Sequence, residues 1–121
     1  MRSALVLAAA LVAAAAWADG DAQRGRLAYE ARCGGCHSVD ADRIGPRHAG
    51  IVGRRAGSVP GFAYSDALRS SGLVWDAALL DRWLANPEAL VPGQRMGYRL
   101  TDAQERADII AYLATLGSGR H

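Results

Sequence analysis

The chain contains no lysine: all 14 of its basic side chains are arginine, set against 12 acidic ones. With so small a surplus, bulk charge gives no ground for expecting a nucleic acid or a lipid surface as partner. Cysteine is scarce, Cys33 and Cys36 alone. No second pair exists to complete a four-ligand zinc site, and a disulfide across so short a loop would contribute only about 2 kcal/mol on the chain-entropy model. A βαβ pattern, a hairpin signal and an alternating run of strand length are all missing, which argues against a thioredoxin-like dithiol. There are no internal repeats. The one long apolar run, Ala4 to Ala18, has 15 residues, short of the roughly 20 that span a bilayer.

That run has another reading. Arg2 precedes it and Ala16-Trp17-Ala18 closes it just before Asp19-Gly20, which is a basic n-region, an apolar h-region and an A-x-A cleavage site. Residues 1–18 are therefore expected to be a signal peptide cleaved after Ala18, and the mature chain to be exported to the periplasm as a soluble protein. Losing Arg2 with the leader leaves 13 basic against 12 acidic side chains, close to neutrality. Residues 19–121 suffice for one small domain whose own core is marginal.

The most specific pattern is Cys33-Gly34-Gly35-Cys36-His37. Two thiols three positions apart can each add to a vinyl group on a porphyrin edge, and the histidine that follows is held where a ring nitrogen reaches the iron. We read it as the attachment site of one covalent haem c. An oxidising exported compartment supports this, because free thiols so close together would not persist there unless consumed.

Around this motif the chain reads as all-α, with long loops wrapped on the cofactor. Asp21 caps a helix over about 21–33 that leads into Cys33. Residues 38–62 are punctuated by Gly45-Pro46, Gly50, Gly53, Gly57 and Pro60-Gly61 and form a long functional loop. Ser65 opens a short helix stopped at Gly72. Asp76 caps a helix over Ala77 to Ala85, with Leu79, Leu80, Trp83 and Leu84 as its buried stripe, ended by Asn86-Pro87. Thr101 and Gln104 read as the capping box of a last helix that runs to about Leu116, with Gly117 as terminator and Ala107, Ile110, Ala111 and Ala114 on one face.

Iron held by His37 needs a second axial ligand. After cleavage Met96 is the only methionine, and it sits in a Pro- and Gly-broken loop, Val91-Pro92-Gly93-Gln94-Arg95-Met96, where it has no helix core to fill. A thioether stabilises ferrous iron and raises the potential. His48 is the alternative, which would give a bis-histidine centre; His121 is terminal. His37 and Met96 are the expected metal ligands.

These residues resemble a known family, the mitochondrial-type class I cytochromes c, including the soluble periplasmic carriers of bacteria. The likeness runs from Gly20 to about Leu116. Beside the CxxCH and the Met96 loop it takes in Gly45-Pro46, Gly53-Arg54, Pro60-Gly61-Phe62-Ala63-Tyr64-Ser65-Asp66-Ala67, Trp75, Asn86-Pro87 and Glu105-Arg106-Ala107-Asp108-Ile109-Ile110-Ala111-Tyr112-Leu113. The resemblance implies the class I cytochrome c fold, with N- and C-terminal helices crossing where Gly25 and Tyr29 meet Tyr112. It implies that the Pro46 carbonyl accepts from the His37 ring N–H, and that Arg54, Tyr64 and Trp75 pair with a haem propionate. Gln94 stands where the family has a propionate-capping threonine, Leu68 where it has an asparagine, and Trp83 where it has a tyrosine beside the Met ligand. These departures should alter the potential.

The function so implied is a monomeric one-electron shuttle with no catalytic residue, working between exported or membrane redox partners. Arg32, Arg43 and Arg95 take the places of the family's docking lysines, whereas Glu88 and Asp102 stand where the family tends to be basic. Two rival readings are a haem enzyme or gas- or peroxide-reactive protein with a displaceable Met96, and a dedicated electron-transfer subunit of a dehydrogenase or oxidase complex. The chain offers no evident distal acid–base pair for the first.

Overall fold

Asp21 starts the first helix by accepting the Arg24 N–H on its side chain, and α1 (Ala22–Arg32) ends where the Cys33 N–H returns to the Tyr29 carbonyl, so the first thiol stands at the helix end. The computed structural model describes residues 2–6 and 20–117. Most of the expected leader, its cleavage point after Ala18, and His121 lie outside the described residues. Ser65 caps α2 (Asp66–Arg69) and Asp76 caps α3 (Ala77–Ala85), each through a side-chain oxygen on the third N–H beyond. Among the described residues there is no strand, only an isolated antiparallel bridge between Arg55 and Val74, and no helix long and apolar enough to cross a membrane.

Three local expectations need correction. Asn86-Pro87 does end α3, but it also begins a further one-turn helix, α4 (Pro87–Leu90), because the Asn86 side chain accepts from Ala89 N and Pro87 fits the first turn. The last helix, α5 (Ala103–Ala114), is capped by Asp102 on the Glu105 N–H rather than by Thr101. A carboxylate there also complements the positive end of the helix. The buried face of α5 is Asp108, Ile109, Ile110 and Leu113, while Ala114 is exposed, so the stripe is turned from the alanine-rich one. Large side chains gain more from burial than alanines do. Gly117 does take the left-handed conformation (φ 74°) that terminates the helix.

α1 crosses α5, and α3 packs on α5. At the crossing a Cβ on Gly25 would lie 1.8 Å from the Asp108 carbonyl oxygen; only glycine permits this approach. One turn on, the Tyr29 and Tyr112 rings meet at 5.3 Å. Buried Asp108 locks the pair, accepting from Asp21 N at 2.9 Å, Arg24 Nε at 3.1 Å and Gln104 Nε2 at 3.0 Å. Arg106 ties α5 to α3 through Asp81 at 2.8 Å and to the preceding loop through the Leu100 carbonyl at 2.8 Å.

The segment 38–62 is irregular as expected, yet it is tied down by backbone bonds. Gly53 N reaches the Trp75 carbonyl at 2.7 Å, Trp75 N the Arg54 carbonyl at 2.9 Å, and Ala56 N the Leu73 carbonyl at 2.8 Å. Buried Ile51, Ala56 and Trp75 on this side join Leu80, Trp83, Leu84 and the α5 residues in one apolar cluster.

Candidate cofactor site

The core is hollow. A cavity of about 540 Å³ opens between these walls, lined by Cys33, Cys36, His37, Pro46, Arg54, Tyr64, Trp75 and Met96 together with aliphatic and aromatic side chains. Eight of the nine expected site residues thus face one space, although the sequence spreads them over more than half the chain. Gln94 does not line it. Leu68 and Trp83, the other two departures, do.

Cys33 and Cys36 lie on the turn after α1. No disulfide joins them, Cys33 is half-buried and Cys36 exposed, and burial pushes the Cys33 thiol up to about 11, with Cys36 adding to it. The Cys33 thiol is thus kept protonated at neutral pH. His37 donates from Nδ1 to the Pro46 carbonyl at 2.8 Å. Burial lowers its pKa, that hydrogen bond opposes the effect, and the Arg43 charge adds to it. The imidazole is therefore neutral, with the lone pair of Nε2 free for a metal. A Cβ on Gly45 would lie 2.1 Å from the His37 ring, so glycine is required to seat it.

Two features here were not legible beforehand. Arg43 lays its guanidinium on the carbonyls of the haem-attachment turn, Gly34 at 2.6 Å, His37 at 3.3 Å and Gly35 at 3.4 Å. His48 stacks on the His37 ring with centroids 4.1 Å apart and 22° between planes, and shares a 2.8 Å hydrogen bond between its Nδ1 and the Tyr29 hydroxyl. An imidazole lying face to face with His37 cannot approach a metal from the side opposite to it. That removes the bis-histidine alternative. Burial, then His37 and Arg54, hold the His48 pKa well below its ordinary value.

Met96 reaches the cavity from the loop between α4 and α5. Arg54 is buried, donating to the carbonyls of Arg47 at 3.0 Å and Ala49 at 3.3 Å, and burial lowers its pKa. Among the described residues no carboxylate is paired with it. Tyr64 accepts the Val59 N–H at 3.1 Å, which leaves its own proton to donate. A buried cation beside a free hydroxyl is a receptacle for an anion. Gln94 instead sends its Nε2 to Glu88 Oε2 at 3.0 Å. The mouth is flanked by exposed Ile44 and Tyr98.

These residues fit an iron porphyrin. The cavity wall is predominantly apolar, two thiols and a neutral imidazole share one rim, a thioether reaches in, and the unpaired Arg54 would meet a propionate.

Comparison with known proteins agrees with this geometry. The family model described as Cytochrome c matches residues 22–117. The chain is 45% identical to cytochrome c2 of Rhodomicrobium vannielii over 119 residues, covering 95% of this chain and 94% of that one. It is 43% identical to cytochrome c of Euglena viridis, over 80% of this chain and 98% of the relative. Among solved structures, cytochrome cH from Methylobacterium extorquens superposes with a TM-score of 0.75 at 45% identity, covering 79% of this chain and 99% of that one. The ferricytochrome c2 from Rhodopseudomonas palustris superposes with the same TM-score at 37% identity.

Proposed function

Because the chain belongs to the cytochrome c family and is an electron carrier with one c-type haem joined to Cys33 and Cys36, we propose that His37 and Met96 are the two axial ligands of its iron. The single observation that carries this is the convergence of both side chains, with both thiols, on one apolar cavity. The haem, when bound, supplies the ferric/ferrous couple. Everything else is the work of the protein. Pro46 and Gly45 fix the tautomer and orientation of His37. Leu80, Trp83, Leu84, Ile109 and Leu113 exclude water from the pocket, which limits the reorganisation that accompanies a change of charge. Arg54 and Tyr64 hold a propionate, with the Trp75 indole beside them.

Catalysis is not part of this reading, since electron transfer leaves every bond to the protein in place. We assign the protein to the periplasm on its leader pattern. The likeness to the Rhodomicrobium protein over 95% of this chain extends into that leader and supports it. Docking belongs at the cavity mouth, around Ile44 and Tyr98, with Arg43 and Arg95 supplying positive charge. Arg32 contributes less, because Glu105 pairs with it at 3.2 Å.

A spectroelectrochemical titration of the purified holoprotein tests the ligation. The expected result is one reversible one-electron wave and a ferric sulfur-to-iron charge-transfer band that vanishes in Met96→Ala. A pigment extracted by acidic acetone, or a band unchanged in that variant, would overturn the assignment.

A further inference from the structure

We propose that Glu88 is a positioning residue for Met96: its carboxylate clasps the ligand-bearing loop and sets how readily the sulfur leaves the iron. This rests on the reading of Met96 as an axial ligand.

The segment from Val91 to Met96 has no helix or sheet to hold it. Its internal backbone bond runs from Gln94 N to the Val91 carbonyl at 3.1 Å. Val91 N returns to the Pro87 carbonyl at 2.9 Å and Arg95 reaches the Ala63 carbonyl at 3.4 Å; between them, Glu88 holds Gly93 and Gln94. One of its oxygens accepts Gly93 N–H at 2.9 Å and the other accepts Gln94 Nε2 at 3.0 Å, so a single carboxylate grips two adjacent residues just ahead of Met96. Glu88 is itself fixed, because Asn86 caps α4 and buried Pro87 begins it.

The grip is one-sided. Gly93 abuts Ala67 of α2, where an added Cβ would come within 3.3 Å of the alanine methyl, and its φ of 91° is one that a side chain would strain. The loop is thus backed by α2 at Gly93 and held from its exposed side by Glu88. The Gln94 amide is oriented by the same carboxylate: its Oε1 is buried with no hydrogen-bond partner among the described residues. Flipping the amide would turn that oxygen onto the carboxylate, so the charge of Glu88 keeps it where it is. The Gly93 N–H, then Gln94, hold the Glu88 carboxyl below its ordinary range, consistent with acceptor bonds to the ionised form. Such charge-assisted bonds are stronger than neutral ones. Opening the loop breaks both.

Exogenous imidazole can enter ferric iron only where Met96 has let go, so its affinity reads the opening equilibrium. Wild-type holoprotein is compared with Glu88→Ala, Glu88→Gln, Met96→Ala and, as a control for lost negative charge, Glu30→Ala. Imidazole affinity should rise roughly tenfold or more in Glu88→Ala and less in Glu88→Gln, whose amide oxygen can still accept from Gly93. Glu30→Ala should match wild type, and the Gly93 amide should exchange faster only when Glu88 is altered. Wild-type imidazole affinity in Glu88→Ala, beside a Met96→Ala that binds imidazole far more tightly, overturns the clasp alone. A drop in unfolding midpoint without a change in imidazole affinity also overturns it. If Met96→Ala itself binds like wild type, the ligation reading falls and the clasp with it.

Discussion

A phenol and an imidazole 2.8 Å apart, Tyr29 and His48, are both part of the cavity wall. Burial raises the Tyr29 pKa and lowers that of His48, so both groups stay neutral through the physiological range and the bond between them does not respond to pH there. Removing one partner strands the other. Tyr29→Phe should therefore destabilise the holoprotein by about 1–3 kcal/mol in denaturant unfolding. Replacing both partners together, Tyr29→Phe with His48→Leu, should recover most of that, because two apolar groups leave nothing unsatisfied. Additive losses in the double variant would show that the pair is not coupled. This contact could not be read from the sequence, where 19 positions separate the residues and His48 invited a ligand's role. The His37 to Pro46 bond was anticipated, but only through resemblance: spacing alone does not say which carbonyl a ring faces. Gln94 shows the opposite limit, since a residue matched by position to a propionate cap turned toward a carboxylate that the relatives' pattern did not foretell.

At the scale of elements, helix existence was legible and helix phase was not. Asp21, Ser65 and Asp76 each announced a start because a short polar side chain satisfies an orphan N–H wherever it falls. Thr101 and Asp102 are both good caps on adjacent positions, and the choice between them lies in how α5 meets α1. That contact turns on Asp108. Burial favours its neutral form, but Arg24, the Asp21 N–H and Gln104 outweigh burial and hold its pKa below the ordinary aspartate value. A depressed folded pKa means stability that is fully present above the unfolded pKa, about 3.9, and lost as pH falls through the folded one. Asp108→Asn should cost about 2 kcal/mol at neutral pH. The gap to wild type should close as pH drops from about 5 to about 2. Urea unfolding at a series of pH values checks this, and a gap that stays constant with pH would mean that the carboxylate's charge is not what joins the helices.

The whole molecule presents two properties that no single element carries. Its charge is nearly balanced, so any steering must come from placement: among the described residues Arg43 and Arg95 bond only to carbonyls, with no carboxylate paired to them near the mouth, whereas Glu105 offsets Arg32. Arg95→Glu should slow the bimolecular oxidation of the reduced protein by ferricyanide severalfold at low salt and Arg32→Glu less. The difference should fade towards 1 M salt, where screening acts within about 3 Å; rates alike in both variants would place the docking charge elsewhere. The second property is a core arranged around a cofactor cavity. Side chains that would meet across a small protein's centre here line a cavity of about 540 Å³, and without the haem that space would be a void, which costs stability in proportion to its volume. Solvent entry through the mouth relieves part of that cost by wetting the wall, but then the apolar surface of Ile51, Trp75, Leu80 and Ile109 returns to water and its burial is lost instead. Either way α1, α3 and α5 lose the body they pack around. The haem-free chain, prepared with both cysteines replaced by serine so that attachment cannot occur, should show little helix in the far ultraviolet and no cooperative heat absorption, while the holoprotein melts in one sharp transition. A compact, cooperatively melting haem-free chain would mean that the crossing at Gly25 and the Asp108 lock hold the fold without the group it encloses.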